Sequence, residues 1–221
     1  MTSLRSPIQT AFYYGNANIV RKLFSAKAEI DYVNRRKWTS ARYLYDPDQS
    51  NQRSIELLDM YAFHTFEQWD STDAVGWTIL HRAAAFGNER DIRPLLRLGA
   101  SDDLRTRDLC WLPIQCAARH GNKSSFEALS GRIPWEDFPY IKDSRGWTLL
   151  HLAAQGGSQD LIEQLLRCGL DPSITSNPVS SAVPAGLRLM KATAMDIARA
   201  CGNQETYQKA LEATGYITST T

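Results

Sequence analysis

Histidine and cysteine are the side chains in this sequence that are best suited to acid–base or metal chemistry, and four of each are present. The cysteines form no C-x-x-C pair, and no two histidines follow at zinc-finger spacing, so the pattern does not predict a metal site. The G-x-S-x-G, H-E-x-x-H and G-x-x-x-x-G-K-S/T motifs of hydrolases, metalloproteases and phosphate-binding loops are absent. We therefore expect no catalytic residue, no metal and no cofactor.

Two of the histidines occupy the same position of a segment that returns along the chain. Residues 76–87 read G-W-T-I-L-H-R-A-A-A-F-G, and residues 146–157 read G-W-T-L-L-H-L-A-A-Q-G-G, 70 residues later. A third copy, W-L-P-I-Q-C-A-A-R-H-G, covers residues 111–121. In each copy a glycine follows one polar position by six residues, and the same frame extends to both ends of the chain. These polar positions, with their glycines, are Gln9 (Gly15), His81 (Gly87), Gln115 (Gly121), His151 (Gly157) and Asp196 (Gly202).

The repeat resembles that of the ankyrin-repeat family, because its glycines step by 34 and then 36 residues around a core similar to T-P-L-H-x-A. The resemblance implies an all-α solenoid of stacked helix-turn-helix units with hairpin loops. We expect about six repeats, the second and fourth irregular, in a single domain over residues 1–215, followed by a flexible tail at 216–221. The repeats are expected near residues 5–34, 35–72, 73–106, 107–142, 143–175 and 190–215, with insertions near 45–54, 131–142 and 176–189.

Within this frame, the residue types predict helix pairs that are separated by tight turns. Thr78 and Thr148 precede the first helix of their repeats, where a hydroxyl can accept a backbone N–H of the first turn. Pro94 falls inside a predicted second helix, and we expect it to kink or loosen that helix. Positive φ angles are expected at the glycines that end the first helices, which are Gly87, Gly121, Gly157 and Gly202.

The resemblance also implies where a partner would bind. In ankyrin-repeat proteins the hairpin tips and inner helices form a concave surface that grips partners, and the residue between the glycine and the threonine of the motif faces the partner. Tryptophan, which is enriched among interface hot spots, occupies that position here. The expected partner-binding residues are Trp38, Trp77, Trp111 and Trp147, with Phe86, Arg119, His120 and Gln155 on the same concave side. The alternative, that each tryptophan packs sideways on the next hairpin and stiffens the solenoid, stays open.

His81 and His151 receive a structural interpretation from the same resemblance. In the family, the imidazole at this position bonds to backbone around the hairpin and the helix start, and so holds neighbouring repeats in register. Buried polar side chains usually have structural hydrogen-bond partners. We therefore expect the two histidines to be structural and not a catalytic pair.

The function that we predict is a protein–protein interaction scaffold that binds a protein or peptide in its concave groove. It is not expected to be an enzyme. The alternative is a small-molecule binder or an atypical enzyme that uses a pocket formed by the irregular segments 45–72, 131–142 and 176–190. For that alternative the candidate acid–base groups are His64, Asp70, Asp73 and His120, and the candidate pocket walls are Trp69, Trp135, Phe138 and Tyr140. A chain of this length can also be one part of a longer multidomain protein.

Charge and hydropathy argue against nucleic-acid and membrane partners. Lys and Arg number 25 and Asp and Glu 24, so the net charge of +1 gives no overall attraction to nucleic acid or to an anionic membrane. No stretch approaches the roughly 18 apolar residues of a membrane span, and the N-terminus has no apolar core of signal-peptide length. We predict a reducing, intracellular location, namely the cytoplasm, although the basic run at 35–37 leaves the nucleus open. Free cysteines are accordingly expected at Cys110, Cys116, Cys168 and Cys201.

Overall fold

A computed structural model describes residues 5–29, 40–45, 55–64 and 69–216 of the chain. Within those ranges the secondary structure consists of α-helices that follow one another in pairs, two short 3-10 helices (Trp135–Tyr140 and Ala185–Leu187), and no β-strand beyond one isolated bridge. The pairs are α1 (Pro7–Tyr13) with α2 (Ala17–Ser25), α3 (Ser40–Leu44) with α4 (Ile55–His64), α5 (Ile79–Phe86) with α6 (Glu89–Arg97), α7 (Pro113–Arg119) with α8 (Lys123–Ser130), α9 (Leu149–Gly156) with α10 (Gln159–Arg167), and α11 (Ala194–Ala200) with α12 (Gln204–Ala213).

The helices stack in two layers. The first members of the pairs, which we call the inner helices, pack in the order α1, α3, α5, α7, α9 and α11, each on the next. The second members, the outer helices, pack on one another from α2 through α8 and again between α10 and α12. Alanine lets the inner helices approach closely, since its side chain adds little bulk and favours helix. The alanines at these contacts are completely buried; they are Ala83, Ala84, Ala117, Ala118, Ala153 and Ala154. The predicted all-α solenoid is confirmed.

One polar position per repeat caps five of the inner helices, namely α1, α5, α7, α9 and α11. Its side chain lies three residues after the N-cap and accepts the N-cap's backbone N–H, which has no partner inside the helix. The acceptor changes from repeat to repeat while the geometry is retained. The donor–acceptor distances are 3.1 Å from Ser6 N to Gln9, 3.2 Å from Thr78 N to His81, 2.9 Å from Leu112 N to Gln115, 3.2 Å from Thr148 N to His151 and 2.9 Å from Thr193 N to Asp196.

Hairpins closed by one backbone hydrogen bond precede the inner helices. Asp73 N donates to Trp77 O at 3.0 Å, and Asp143 N donates to Trp147 O at 3.0 Å. The hairpin before α11 closes instead between Ser176 N and Ala192 O, at 2.8 Å. It therefore spans 16 residues, whereas the hairpins that begin at Asp73 and Asp143 span four and the one closed by Thr106 N and Trp111 O spans five. The expected insertion near 176–189 is an elongated hairpin.

The other two irregular segments differ in how much of them is described. The segment near 131–142 contains the 3-10 helix Trp135–Tyr140, whose Phe138 is buried with its ring centroid 6.0 Å from that of Phe126. The insertion expected near 45–54 lies almost wholly outside the described residues, and so does the tail beyond Tyr216.

One local prediction is wrong, for a physical reason. Positive φ is found at Gly121, Gly157 and Gly202, but Gly87 has a φ of −93°. At Gly87 it is space that excludes a side chain, because a Cβ atom would lie 2.5 Å from the carbonyl oxygen of Ala83. Pro94 lies within α6, which runs from Glu89 to Arg97, and a kink or loosening at this proline stays a prediction.

Candidate functional site

The four motif tryptophans do not form an exposed row. Trp77 is half-buried, whereas Trp111 is 8% exposed and Trp147 is 0% exposed. Trp38 lies outside the described residues. The prediction that Trp111 and Trp147 face a partner is therefore wrong, because Trp147 has no accessible surface and Trp111 has too little to contribute a substantial contact.

Trp147 is buried beneath Arg145 and the elongated hairpin. The guanidinium of Arg145 lies 3.7 Å from the centre of the indole, a cation–π contact. Arg145 Nη1 donates to the carbonyl oxygen of Ala182 at 2.5 Å, and its own carbonyl accepts from Asn177 N at 2.8 Å. The inserted residues thus hold the arginine over the ring, which fits the alternative in which the tryptophan stiffens the solenoid.

Trp111 joins two successive hairpins. Its indole Nε1 donates to Asp143 Oδ2 at 3.0 Å, and the same oxygen accepts from Arg145 Nε at 2.9 Å and from Nη2 at 2.6 Å. The buried carboxylate therefore neutralises one cation and orients one ring.

Asp73 and Asp143 have equivalent structural roles that the sequence interpretation missed. Asp73 Oδ1 accepts from Val75 N and Trp77 N, both at 3.0 Å, and Oδ2 pairs with Arg82 Nη2 at 2.6 Å. Arg82 in turn lies 4.5 Å from the centre of the Trp77 ring. The shared pattern D-x-x-G-W-T at 73–78 and 143–148 could have revealed this role, because an aspartate that begins a tight turn commonly accepts nearby backbone N–H groups.

Three aromatic side chains on the inner helices come together where solvent reaches them. The rings of Phe86 and His120 have centroids 4.7 Å apart, and Trp77 stacks on Phe86 at 6.4 Å and lies 6.5 Å from His120. Trp77 and Phe86 are half-buried and His120 is exposed. We call these three residues the aromatic patch. They are placed by the ends of two elements: Trp77 lies just before α5, Phe86 ends α5, and His120 is the C-cap of α7.

The cations of Arg119 and Arg82 act on His120 in the aromatic patch. The pKa of His120 is lowered to about 4, first by the loss of hydration where the ring packs and then by the cations of Arg119 and Arg82, so its imidazole is neutral at pH 7. Arg119 is half-buried, and within the described part of the chain it forms no ion pair. Gln155, on α9, is half-buried as well.

The residues proposed for acid–base chemistry are not assembled into a catalytic arrangement. Asp73 is committed to Arg82, Asp70 Oδ1 accepts from Ser101 N at 3.0 Å, and the side chain of His64 lies outside what is described. Of the candidate walls, Trp69 and Phe138 are buried in the core, while Trp135 and Tyr140 are exposed. No group of three or more His, Cys, Asp or Glu side chains in the described ranges could hold a metal ion. All four cysteines fall within those ranges and are free.

Comparison with known proteins supports the same architecture. The family described as ankyrin repeats, in three copies, matches residues 80–176. The chain is 34% identical over 94 residues to ankyrin repeat and SOCS box protein 3 of Homo sapiens, which covers 42% of this chain and 18% of that protein. It is 25% identical over 154 residues to alpha-latrotoxin-Lg1a of Latrodectus geometricus, which covers 68% of this chain and 10% of the toxin. It is also 41% identical over 58 residues to calmodulin-binding transcription activator CBT of Oryza sativa subsp. japonica, covering 26% of this chain and 6% of that protein.

These matches define a shared architecture and leave the activity open. The chain spans less than one fifth of the length of each of these curated relatives, at 18%, 10% and 6%. The names of the three relatives describe different proteins, and the name of the first includes the ankyrin repeat. No described helix is both long enough and apolar enough to cross a membrane.

Proposed function

The chain is an ankyrin-repeat protein, and we propose that it is an interaction module that docks a protein or peptide segment without chemistry of its own. Ankyrin repeats generally mediate protein–protein interaction. The observation that supports a particular docking site is the aromatic patch, where Trp77, Phe86 and His120 form one cluster that solvent reaches.

The aromatic patch has the properties of an interface anchor. Aromatic side chains dominate interface hot spots because they contribute large contact areas, and rigid ones lose little entropy on binding. Trp77 is held in place before any partner arrives, since Arg82 lies over its ring and is itself fixed by the buried carboxylate of Asp73. A fixed and partly exposed ring cluster suits docking better than it suits the core.

We assign the partner-binding role to five of the predicted residues. The burial of Trp111 and Trp147 removes them from the set, and Trp38 stays a prediction for a segment that is not described. The proposed partner-binding residues are Trp77, Phe86, Arg119, His120 and Gln155. We further propose an intracellular setting, in which the module positions other domains if it belongs to a longer chain.

The proposal is tested by affinity capture from cell extract with three forms of the protein. The first is the wild type, the second combines Phe86→Ala with His120→Ala, and the third is Tyr140→Ala, which removes an aromatic ring that is 80% exposed away from the aromatic patch. Urea unfolding should show that all three are fully folded under the conditions of the capture before they are compared. We expect a protein that is retained by the wild type and by Tyr140→Ala and lost by the double variant. Equal retention by all three forms would rule out the aromatic patch as the docking site.

A further inference from the structure

Three arginines lie in or just before the inner helices α5, α7 and α9, and two of them are neutralised within the fold. Arg82 pairs with Asp73 at 2.6 Å, and Arg145 pairs with Asp143 at 2.6 Å; the four side chains are nearly inaccessible to solvent. Arg119, at the end of α7, has no such carboxylate among the described residues. Arg119 is thus a cation that no described carboxylate compensates.

The partial burial of Arg119 strengthens its attraction to a carboxylate. A half-buried guanidinium has lost part of its hydration, and its attraction to an approaching carboxylate is screened less than that of a fully exposed guanidinium. Arginine can also donate two parallel hydrogen bonds to a carboxylate, which fixes the geometry of the pair. Arg145 and Arg82 also act on Arg119 and His120, but each of these two cations is balanced by its own buried carboxylate. Arg119 is the cation that is left without a carboxylate among the described residues, so this part of the surface complements a single negative charge.

The residue that follows Arg119 in the chain offers different chemistry. His120 presents a neutral imidazole at pH 7 and lies against Phe86, so the aromatic patch complements an aromatic or aliphatic side chain and not an anion. At the end of α7, therefore, Arg119 favours an acidic side chain of a partner and the adjacent His120 favours an apolar one.

We infer that the segment docked on the aromatic patch is a peptide of a separate protein that places an Asp or Glu side chain on Arg119 and a neighbouring aromatic or aliphatic side chain on Trp77, Phe86 and His120. This inference rests on the proposed function and adds the chemistry of the partner. A carboxylate is preferred over a phosphate because a single unpaired guanidinium balances a single negative charge.

Selection from random linear peptides displayed on phage tests the inference. Four forms are used as bait: the wild type, Arg119→Glu, the double variant Phe86→Ala with His120→Ala, and Arg90→Glu. The last makes the same charge change at an exposed position of the outer helix α6 and is the matched control. The wild type and Arg90→Glu should enrich peptides in which an acidic residue lies close to an aromatic or aliphatic one. A synthetic peptide from that set should bind Arg119→Glu at least about tenfold more weakly. Exchange of its acidic residue for Lys should restore binding to Arg119→Glu.

The outcomes separate failure of this inference from failure of the proposed function. Peptides that need the aromatic patch, yet show no acidic preference and bind Arg119→Glu normally, would overturn the inference and leave the docking site standing. Enrichment of the same peptides by the double variant would overturn both. Tighter binding of a peptide with phosphoserine in place of the acidic residue would overturn the choice of a carboxylate.

One further outcome concerns a second copy of the chain as the occupant. Trp135 is exposed beside the acidic residues Glu136 and Asp137, so the protein itself carries a segment of the inferred chemistry. Light scattering of the purified wild type reports its mass in solution. A dimer that is lost in both Arg119→Glu and Trp135→Ala would make a second copy the occupant and overturn the assignment to a separate protein, whereas a monomer supports that assignment.

Discussion

The Nε2 atom of His81 lies 3.0 Å from the carbonyl oxygen of Trp111 and links the start of one inner helix to the hairpin of the next repeat. Because Nδ1 accepts the backbone N–H of Thr78, Nε2 carries the proton and donates it to that carbonyl. His151 repeats the arrangement on Ala192 O at 3.1 Å. The two imidazoles therefore hold successive repeats in register, as the resemblance to ankyrin repeats implied.

This arrangement predicts a loss of stability in acid. Burial lowers the pKa of His81 and lowers that of His151 to about 4, so between pH 6.5 and pH 4 the unfolded chain binds more protons than the folded one. The contribution of His151 is fully present above pH 6.5, and about 3 kcal/mol of unfolding free energy should be lost by pH 4. Urea unfolding followed across this pH range measures the loss.

A matched variant separates the histidine from the carboxylates that titrate in the same range. His151→Gln keeps an acceptor for the N-cap, as Gln115 does in the neighbouring repeat, and removes the titration. Its unfolding free energy should depend less steeply on pH than that of the wild type. Identical pH dependence in both forms would show that His151 does not titrate as we describe.

Replacement of the buried Trp147 should destabilise the protein more than replacement of the half-buried Phe86. Trp147→Ala removes a completely buried ring and is expected to cost about 3–5 kcal/mol. Phe86→Ala, in the half-buried aromatic patch, should cost less, since part of that ring already contacts water. Urea denaturation with an unchanged m-value provides the comparison. A smaller loss for Trp147→Ala than for Phe86→Ala would contradict the assignment of Trp147 to the core.

The buried ion pairs should be sensitive to removal of one partner. Asp143→Ala leaves the buried guanidinium of Arg145 without its carboxylate and takes an acceptor from Trp111, so a loss of about 3–5 kcal/mol is expected. Asp102 pairs with Arg132 at the surface, and Asp102→Ala, the control, should change stability by less than about 1 kcal/mol. Similar losses for both variants would show that burial does not govern the strength of the Asp143 pair.

Gly87 and Gly131 provide a test of space against backbone conformation. Neither has a positive φ, but a Cβ at Gly87 would lie 2.5 Å from Ala83 O, whereas at Gly131 its nearest neighbour is 4.0 Å away. Gly87→Ala should lower the melting temperature, while Gly131→Ala should leave it unchanged or raise it slightly through the unfolded state. An unchanged melting temperature for Gly87→Ala would contradict the proposed steric exclusion.

The repeated motif was sufficient to predict the helices and their stacking, because it contains the residues that determine them locally. Thr78 with His81, and Thr148 with His151, form each cap within three residues. The exposure of Trp147 could not be predicted in this way. It depends on Arg145 and on Ala182, which lies in an insertion that the motif does not contain. The exposure of a side chain also depends on segments that are distant in the sequence, and the repeat period contains no information about them.

Phe86 and His120 show the opposite case. Their positions in the frame predicted that both lie on the concave side, but the frame did not predict that their rings lie 4.7 Å apart and close to Trp77. Such a cluster arises from side-chain directions in two successive repeats. The neutral state of His120 at pH 7 likewise follows from its surroundings, since burial and the cations of Arg119 and Arg82 lower its pKa to about 4.

The most direct test of docking on the aromatic patch is site-specific photo-cross-linking. A benzophenone amino acid replaces Phe86 in one form and the exposed Tyr140 in another, and each form is irradiated in the presence of the captured partner or the selected peptide. We predict a cross-linked product from the Phe86 position that is absent from the Tyr140 position. Cross-linking from Tyr140 but not from Phe86 would place the partner on the irregular segment and contradict the docking site proposed for this protein.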